Sequence, residues 1–129
     1  MVPQLIKASL YGEPFTVYGD GKATRSLCYI SDAVGQLLVV LLDGQPGEAY
    51  NVGTADELSI GEFAQLGARL LNVKVTVMLD HATLTTDAPS RRVPDLRKIM
   101  ALGIVKPTIG LATGLERTCR YYSEENRHD

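Results

Sequence analysis

The chain has few of the residues that mark special chemistry. Its 129 residues include no Trp, two Phe, two Cys and two His, and the formal net charge is only −2. Interspersed charges of this kind give neither a basic nucleic-acid-binding face nor an acidic tail. No apolar run approaches the roughly 20 residues of a membrane helix, and the N-terminus lacks the layout of a signal peptide. We therefore expect a cytoplasmic protein with no nucleic-acid or membrane partner.

The cysteines and histidines are too sparse to build a site. Cys28 and Cys119 lie far apart in apolar stretches, without the spacing of a metal site or the density of a disulfide scaffold, so both are predicted to be reduced core residues. His81 falls in a predicted loop and His128 in the tail, and no nucleophile elbow is present. Serine–histidine–acid catalysis is therefore not supported.

Strand and helix patterns follow one another along a chain long enough for one domain. Helices are predicted at 2–11, from 31 or 32 to 42, 59–71, from 94 or 95 to 102, and 108–122. Strands are predicted at 15–18, 25–30, 49–52 and 73–79, with a loop at 80–90 and a frayed tail after 123. This inventory of short strands with four or five helices predicts a mixed α/β fold.

Two helices have clear sequence signals. In the second, Val34, Leu37, Leu38, Leu41 and Leu42 recur at three- and four-residue intervals, which predicts a buried helix. In the third, Ser59 and Glu62 have the spacing of a capping box, which fixes the start of the helix.

Of two motifs found in cofactor enzymes, one is absent from the chain and the other matches in spacing only. A dinucleotide fold needs a glycine-rich turn between its first strand and helix, and the chain has no such spacing. Tyr18 and Lys22 have the spacing of a catalytic Tyr-x-x-x-Lys pair. The intervening Gly-Asp-Gly disfavours the helix that would bring phenol and ammonium together. We interpret this pair as the end of a strand followed by a turn.

Two arginine-bearing segments are better candidates for a binding site. Arg25 and Arg92 each lie at a loop boundary, and two guanidinium groups suit a diphosphate. Alternatively, Arg25 pairs with a carboxylate such as Asp32, while Arg91 and Arg92 are solvated loop charges. Charge pattern alone leaves both interpretations open.

Several ordered segments carry a resemblance to a known family. They are Gly-Glu-Pro-Phe-Thr-Val-Tyr-Gly-Asp-Gly-Lys-Ala-Thr-Arg-Ser-Leu-Cys-Tyr-Ile-Ser-Asp at 12–32, Tyr-Asn-Val-Gly at 50–53, the capped helix, Arg-Val-Pro-Asp at 92–95, and the helix ending in Tyr121 and Tyr122. Together they resemble the extended short-chain dehydrogenase/reductases that act on nucleotide sugars with NAD, UDP-glucuronate decarboxylases most of all. The resemblance covers nearly the whole chain.

The resemblance implies that residues 1–129 are a single nucleotide-sugar-binding domain, the C-terminal part of a two-part enzyme. The Rossmann half, with the glycine-rich loop, NAD and the catalytic tyrosine and lysine, would be lacking, so the chain alone would bind no NAD. Arg25 and Arg92 would bind the diphosphate, and the strand at Val17 and Tyr18 would line the nucleotide pocket. Asn51 is a weaker candidate, since it could serve only to order a turn.

The sequence also departs from the family pattern. Ala23 stands where a glutamine is usual, and Ile104 stands where an aromatic is frequent. Met1 falls directly on the first helix, which is consistent with an excised domain, a truncated gene or one half of a split protein. Three hypotheses follow: a UDP-sugar-binding part that works with an NAD-binding half, a non-catalytic binding module, and a homo-oligomer that covers the surface left by the missing half.

Overall fold

The computed structural model describes residues 1–78, 89–103 and 107–125, and in this part of the chain it is a mixed α/β fold with five helices. The helices are α1 (Val2–Tyr11), α2 (Ile30–Asp43), α3 (Ile60–Leu71), α4 (Arg97–Met100) and α5 (Leu111–Glu125). The strands are β1 (Phe15–Tyr18), β2 (Thr24–Ser26), β3 (Glu57–Ser59), β4 (Val75–Met78) and β5 (Arg91–Arg92). No helix in these ranges is both long and apolar enough to cross a bilayer.

The strands form two small sheets. In the first, β1 and β4 are parallel, with Phe15 opposite Val75 and Tyr18 opposite Met78. In the second, β2 lies between β3, which is antiparallel to it, and β5, which is parallel to it. The second sheet brings three short segments that are distant in sequence side by side.

The core lies where α1, α3 and α5 pack around β1. Its buried residues come from all of these elements and from the short segment before β4: Leu5, Ala8, Phe15, Val17, Phe63, Ala64, Val73 and Leu115. The ring of Phe15 meets that of Phe63 edge to face, with centroids 6.1 Å apart. Gly67 allows α1 to approach α3 closely, because a Cβ at this position would lie 2.5 Å from a methyl group of Leu5.

The capping box at the start of α3 is confirmed. The Glu62 backbone N–H donates to Ser59 Oγ at 3.1 Å, and the Ser59 N–H donates to the Glu62 carboxylate at 2.7 Å. Two of the otherwise unpaired amides of the first turn are thereby satisfied. The sequence therefore predicted the start of α3 to within one residue.

The prediction that the second helix is buried was wrong. Its helical period is correct, but Gln36 is the one residue of α2 that is buried, whereas Leu41 and Leu42 are 77% and 78% exposed. The periodic apolar residues form a stripe, and no element in the described part of the chain covers it. Helical periodicity predicts which face is apolar, but not whether anything packs against that face.

Several strand predictions also need correction. Residues 49–52 form no strand, because no neighbouring strand in the described ranges pairs with them. The predicted strand 25–30 is limited to Thr24–Ser26, and its end belongs to the start of α2. β3 was not predicted, and β5 falls on the segment that was predicted to be loop or the approach to a helix. These strands are too short to show a period of two.

The remaining boundaries shift by a few residues. β4 covers Val75–Met78 of the predicted 73–79, α4 covers Arg97–Met100 of the predicted helix to 102, and α5 begins at Leu111 and continues to Glu125. The predicted loop at 80–88, His81, Ile104 and the end of the tail with His128 lie outside the described residues.

Both cysteines are free and half-buried rather than fully in the core. Cys119 Sγ lies 3.7 Å from Ser9 Oγ, where α5 meets α1. Burial raises the pKa of the Cys28 thiol, with a smaller contribution from the nearby Asp32 carboxylate. A raised pKa favours the neutral thiol, which suits a structural cysteine.

Candidate functional site

The three-stranded sheet places Arg25 and Arg92 side by side. They are register partners in the parallel pair β2–β5, so their Cα atoms lie about one strand spacing, roughly 5 Å, apart. Because side chains alternate between the faces of a sheet, register partners point to the same face. The structure therefore brings together two residues that are 67 positions apart in the sequence. We call Arg25 and Arg92 the arginine pair.

On the opposite face of this sheet, the charge of Arg91 is compensated by Glu57. Thr24 and Arg91, the other register partners of β2 and β5, both bind Glu57 of β3. The Arg91 guanidinium donates to the Glu57 carboxylate from Nε at 3.0 Å and from Nη2 at 2.8 Å, and Thr24 Oγ1 donates at 2.5 Å. The bidentate geometry satisfies Arg91 locally. Arg91 is therefore a structural residue, contrary to the alternative of a solvated loop charge.

The ion pair with Arg91 should make this sheet sensitive to acid. The hydrogen bond from Arg91, followed by that from Thr24, lowers the pKa of Glu57 from its usual 4.5. A lowered folded-state pKa stabilises the fold above the unfolded pKa, and this stabilisation is lost as the pH falls through the folded value. We expect the urea midpoint of the wild type to fall below about pH 4.5 more steeply than that of Glu57→Gln. Parallel pH profiles would exclude Glu57 as a source of acid sensitivity.

Arg25 is positioned by backbone carbonyls. Its Nη1 donates to the carbonyl oxygens of Thr24 at 2.6 Å and Pro89 at 3.2 Å, with a longer contact of 3.5 Å to Ser90. These bonds use one terminal nitrogen, and their carbonyl acceptors carry no formal charge that would compensate the guanidinium. The other nitrogens of the fork keep their capacity to bind an anion.

Neither member of the arginine pair has a carboxylate partner in the described ranges. The proposed pairing of Arg25 with Asp32 is wrong. Asp32 instead accepts hydrogen bonds from the backbone N–H of Ile109 at 2.9 Å and from Thr108 Oγ1 at 3.0 Å. These bonds lower the pKa of Asp32, that from Ile109 most of all, so the carboxylate serves to tie α2 to the approach of α5.

Val17 and Tyr18 occupy opposite environments on β1. The Val17 side chain is 3% exposed and belongs to the core, so it has no free surface with which to line a pocket. Strand alternation turns Tyr18 to the other side, where it is 56% exposed. Of these two candidates, only the Tyr18 side chain is available to a ligand.

Asn51 has a structural contact. Its Nδ2 donates to the carbonyl oxygen of Asp95 at 3.0 Å, which links the segment after α2 to the residue two positions before α4. Nearby, Lys98 Nζ donates to the Glu48 carboxylate and to the carbonyl oxygen of Ala49. This contact corresponds to the alternative role given to Asn51, that of a residue that only orders the chain.

Tyr18 and Lys22 are not arranged as a catalytic pair. Gly19 and Gly21 have positive φ angles of 79° and 69°, which exclude a helix between them. Lys22 Nζ lies 3.4 Å from the Asp20 carboxylate, and the Gly61 N–H donates to the Gly21 carbonyl oxygen at 2.9 Å. The segment is a turn that rests on the start of α3, as its composition predicted.

Within residues 1–78, 89–103 and 107–125, no cluster of three or more metal-ligating side chains occurs. A groove of about 580 Å³ lies between α1 and α5, lined mainly by apolar side chains such as Ile6, Leu10 and Tyr122. It includes neither member of the arginine pair. The arginine pair is therefore the arrangement with the clearest chemical preference, and that preference is for an anion.

Comparison with known proteins shows what this chain is similar to. Residues 1–53 match the model of the NAD dependent epimerase/dehydratase family. Over 128 residues the chain is 37% identical to UDP-glucuronic acid decarboxylase 1 of Danio rerio, and the alignment covers 99% of this chain but 30% of the relative. The chain thus spans about a third of the length of this relative.

Solved structures show the same partial match. A dTDP-glucose 4,6-dehydratase from Streptomyces venezuelae, solved with NAD, superposes with a TM-score of 0.80 at 30% identity, over 98% of this chain and 38% of that one. UDP-glucuronic acid 4-epimerase from Bacillus cereus, in complex with UDP-glucuronic acid and NAD, superposes with a TM-score of 0.80 at 25% identity. This match covers 96% of this chain and 40% of the epimerase. In sequence and in fold, the chain is therefore similar to part of the NAD-dependent epimerases, dehydratases and decarboxylases of this kind, as the resemblance of its motifs predicted.

Proposed function

We propose that residues 1–129 are the nucleotide-sugar-binding part of an enzyme of this family, with UDP-sugars as ligands and with the arginine pair on the diphosphate. The observation that carries the proposal is the register of β2 and β5, which puts two guanidinium groups on one face of a sheet, neither of them paired with a carboxylate of the described residues. A diphosphate presents several anionic oxygens that suit two planar forks. The UDP-sugar class is taken from the relatives, among them the decarboxylase of Danio rerio.

The start of α3 does not fit the pyrophosphate of NAD. A pyrophosphate binds where a glycine-rich turn leaves the first amides of a helix free. Here β3 runs directly into α3, and the first three amides of α3 are already engaged. Those of Ile60 and Gly61 donate to the carbonyl oxygens of Ala23 and Gly21, and that of Glu62 donates to Ser59 Oγ. The Glu62 carboxylate lies beside them. An anionic ligand would meet like charge at this helix start. We therefore assign NAD binding and hydride transfer to the part of the family enzyme that this chain does not match.

The role of this part is binding and orientation. Arg25, held by the carbonyls of Thr24 and Pro89, is already positioned before the ligand arrives, which reduces the entropy lost on binding. Arg92 is exposed and free to close over the diphosphate. Tyr18 is exposed at the end of β1 and is the available side chain for contact with the nucleoside.

The test is calorimetric titration of Arg92→Ala with UDP. We expect affinity to fall by about 10- to 150-fold, because a charge-assisted hydrogen bond contributes roughly 1.5–3 kcal/mol. The affinity of Arg92→Lys for UDP should fall less, because lysine keeps the positive charge but lacks the planar set of donors of the guanidinium group. Arg69→Ala, at the exposed end of α3, removes the same charge away from the pair and should leave affinity unchanged.

Two ligands complete the experiment. Uridine lacks the diphosphate, so its affinity should not respond to Arg92→Ala, and NAD should not bind the wild-type chain. Equal affinity of wild type and Arg92→Ala for UDP would remove Arg92 from the site. Failure of the wild type to bind UDP or UDP-glucuronic acid would mean that these residues alone do not form a pocket.

A further inference from the structure

The one buried side chain of α2 is polar. Gln36 is 4% exposed, whereas the leucines of the same helix are more than half exposed. Its side-chain amide forms two hydrogen bonds with the backbone of Gly53, donating from Nε2 to the carbonyl oxygen at 2.8 Å and accepting at Oε1 from the N–H at 2.7 Å. An amide that both donates to and accepts from one residue reproduces the pairing between two strands. Gln36 therefore serves Gly53 in place of a neighbouring strand.

Gly53 lies against the segment that follows Arg92. It has a φ of 147°, a conformation that residues with a side chain rarely adopt, and a Cβ at this position would lie 3.3 Å from Cγ of Pro94. Two residues earlier, Asn51 Nδ2 donates to the carbonyl oxygen of Asp95 at 3.0 Å. The chain around Gly53 therefore contacts the continuation of β5 at two successive residues.

The geometry of proline transmits this contact to Arg92. The φ angle of Pro94 is fixed at about −65° by its ring, and the residue before a proline is restricted to extended conformations. That residue, Val93, is the only one between Arg92 and Pro94. The backbone between them therefore has few free dihedral angles, and the place of the Pro94 ring limits where Arg92 can lie. β5 itself has only two residues, so its own pairing with β2 contributes few hydrogen bonds to that position.

We propose that Gln36 is a positioning residue for Arg92. By pairing with Gly53 it supports Pro94, and this support keeps the arginine pair together. The consequence for UDP rests on the proposed function, in which Arg92 binds the diphosphate. Without the Gln36 amide, the N–H and the carbonyl group of the buried Gly53 would lack these partners, and the chain relieves that cost by moving this segment toward water. The fraction of chains with both guanidinium groups in place would then fall.

Amide hydrogen exchange of the wild type and of Gln36→Met tests this positioning without any ligand. Methionine is similar in length to glutamine and is a good helix former, but it forms neither of the two hydrogen bonds. The Thr24 amide of β2 donates to the carbonyl oxygen of Ser90 at 2.7 Å, so its protection reports whether the start of β5 is in place. We expect this protection to fall by at least about 10-fold more than that of Phe15, whose amide donates at 2.8 Å to the segment before β4 in the other sheet. A general loss of stability would lower both equally.

Titration with UDP then tests the link to Arg92. The affinity of Gln36→Met should fall by about 3- to 30-fold, because the apparent affinity falls with the fraction of chains that are competent to bind. In the Arg92→Ala background, the same substitution should change the affinity by less than about 2-fold, because the residue that Gln36 positions is gone. Should circular dichroism show that Gln36→Met does not fold, Gln36→Asn takes its place, since its amide is one methylene too short to form both bonds with Gly53.

A matched control removes the same amide elsewhere. Gln65 is an exposed glutamine of α3, so Gln65→Met should leave both the exchange of Thr24 and the affinity for UDP unchanged. Equal loss of protection at Thr24 and Phe15 would overturn the positioning role, as would an equal loss of UDP affinity with and without Arg92. A wild type that binds no UDP would overturn the proposed function instead, and the exchange of Thr24 would then decide the positioning role by itself.

Discussion

Phe63→Ala is expected to lower the free energy of unfolding by about 3–5 kcal/mol, the usual loss for a large aromatic deleted from a core. Phe63 is fully buried and joins α3 to β1 through its edge-to-face contact with Phe15. The substitution removes that aromatic contact and leaves a cavity between the helix and the strand that ends at Tyr18. A loss of this size is a large part of the stability of a small domain.

Urea unfolding followed by circular dichroism measures this effect. Tyr121→Ala is the control, since Tyr121 is an aromatic of α5 that is 61% exposed, and its removal should change stability by less than about 0.5 kcal/mol. A loss below 1 kcal/mol for Phe63→Ala would contradict the central position that the structure gives to this ring.

Leu5→Ala is expected to cost about 2–5 kcal/mol, and Gly67→Ala should restore part of that loss. In the wild type, a methyl group at position 67 would lie 2.5 and 2.7 Å from the two Cδ atoms of Leu5, so Gly67→Ala alone overpacks the contact between α1 and α3. Once Leu5 is truncated, the same methyl group fills the vacated space and also removes a glycine from a helix interior.

A double-mutant cycle in urea measures this coupling. The variant carrying both substitutions should be more stable than Leu5→Ala, with a coupling energy of about 0.5–3 kcal/mol. Additive effects would mean that the two helices do not meet at these residues. Gly110→Ala is a suitable control, because there is open space around its Cβ position. Gly12→Ala is not, because Gly12 has a φ of 69°, which strains any residue with a side chain.

These two predictions also bear on the proposed function. β1 supplies Tyr18, and its position depends on Phe15 and Val17 in the core. The arginine pair lies in the other sheet, which is connected to α3 through Ser59 of β3. We therefore expect core variants to reduce UDP binding together with stability, whereas Arg92→Ala should reduce binding with little loss of fold. Measuring both UDP affinity and the free energy of unfolding on each variant distinguishes residues that support the fold from residues that contact the ligand.

The sequence by itself determined the local structure and the resemblance to a family. The helical period of residues 31–42, the Ser59–Glu62 capping box and the Gly-Asp-Gly turn depend on residues near each other in the chain, so each was predictable without a fold. The order of motifs from Gly12 to Tyr122 carried the resemblance to nucleotide-sugar enzymes in the same way, and the comparisons found the same similarity.

Tertiary structure alone decided which distant groups meet and which surfaces are covered. The pairing of β2 with β5 sets Arg25 beside Arg92 and gives Arg91 to Glu57, although strands of two and three residues carry no period to reveal this. It also left the apolar face of α2 exposed and, within the described ranges, residues 49–52 without a strand partner. Burial and strand pairing are properties of two surfaces together, and the sequence of one segment describes only its own surface.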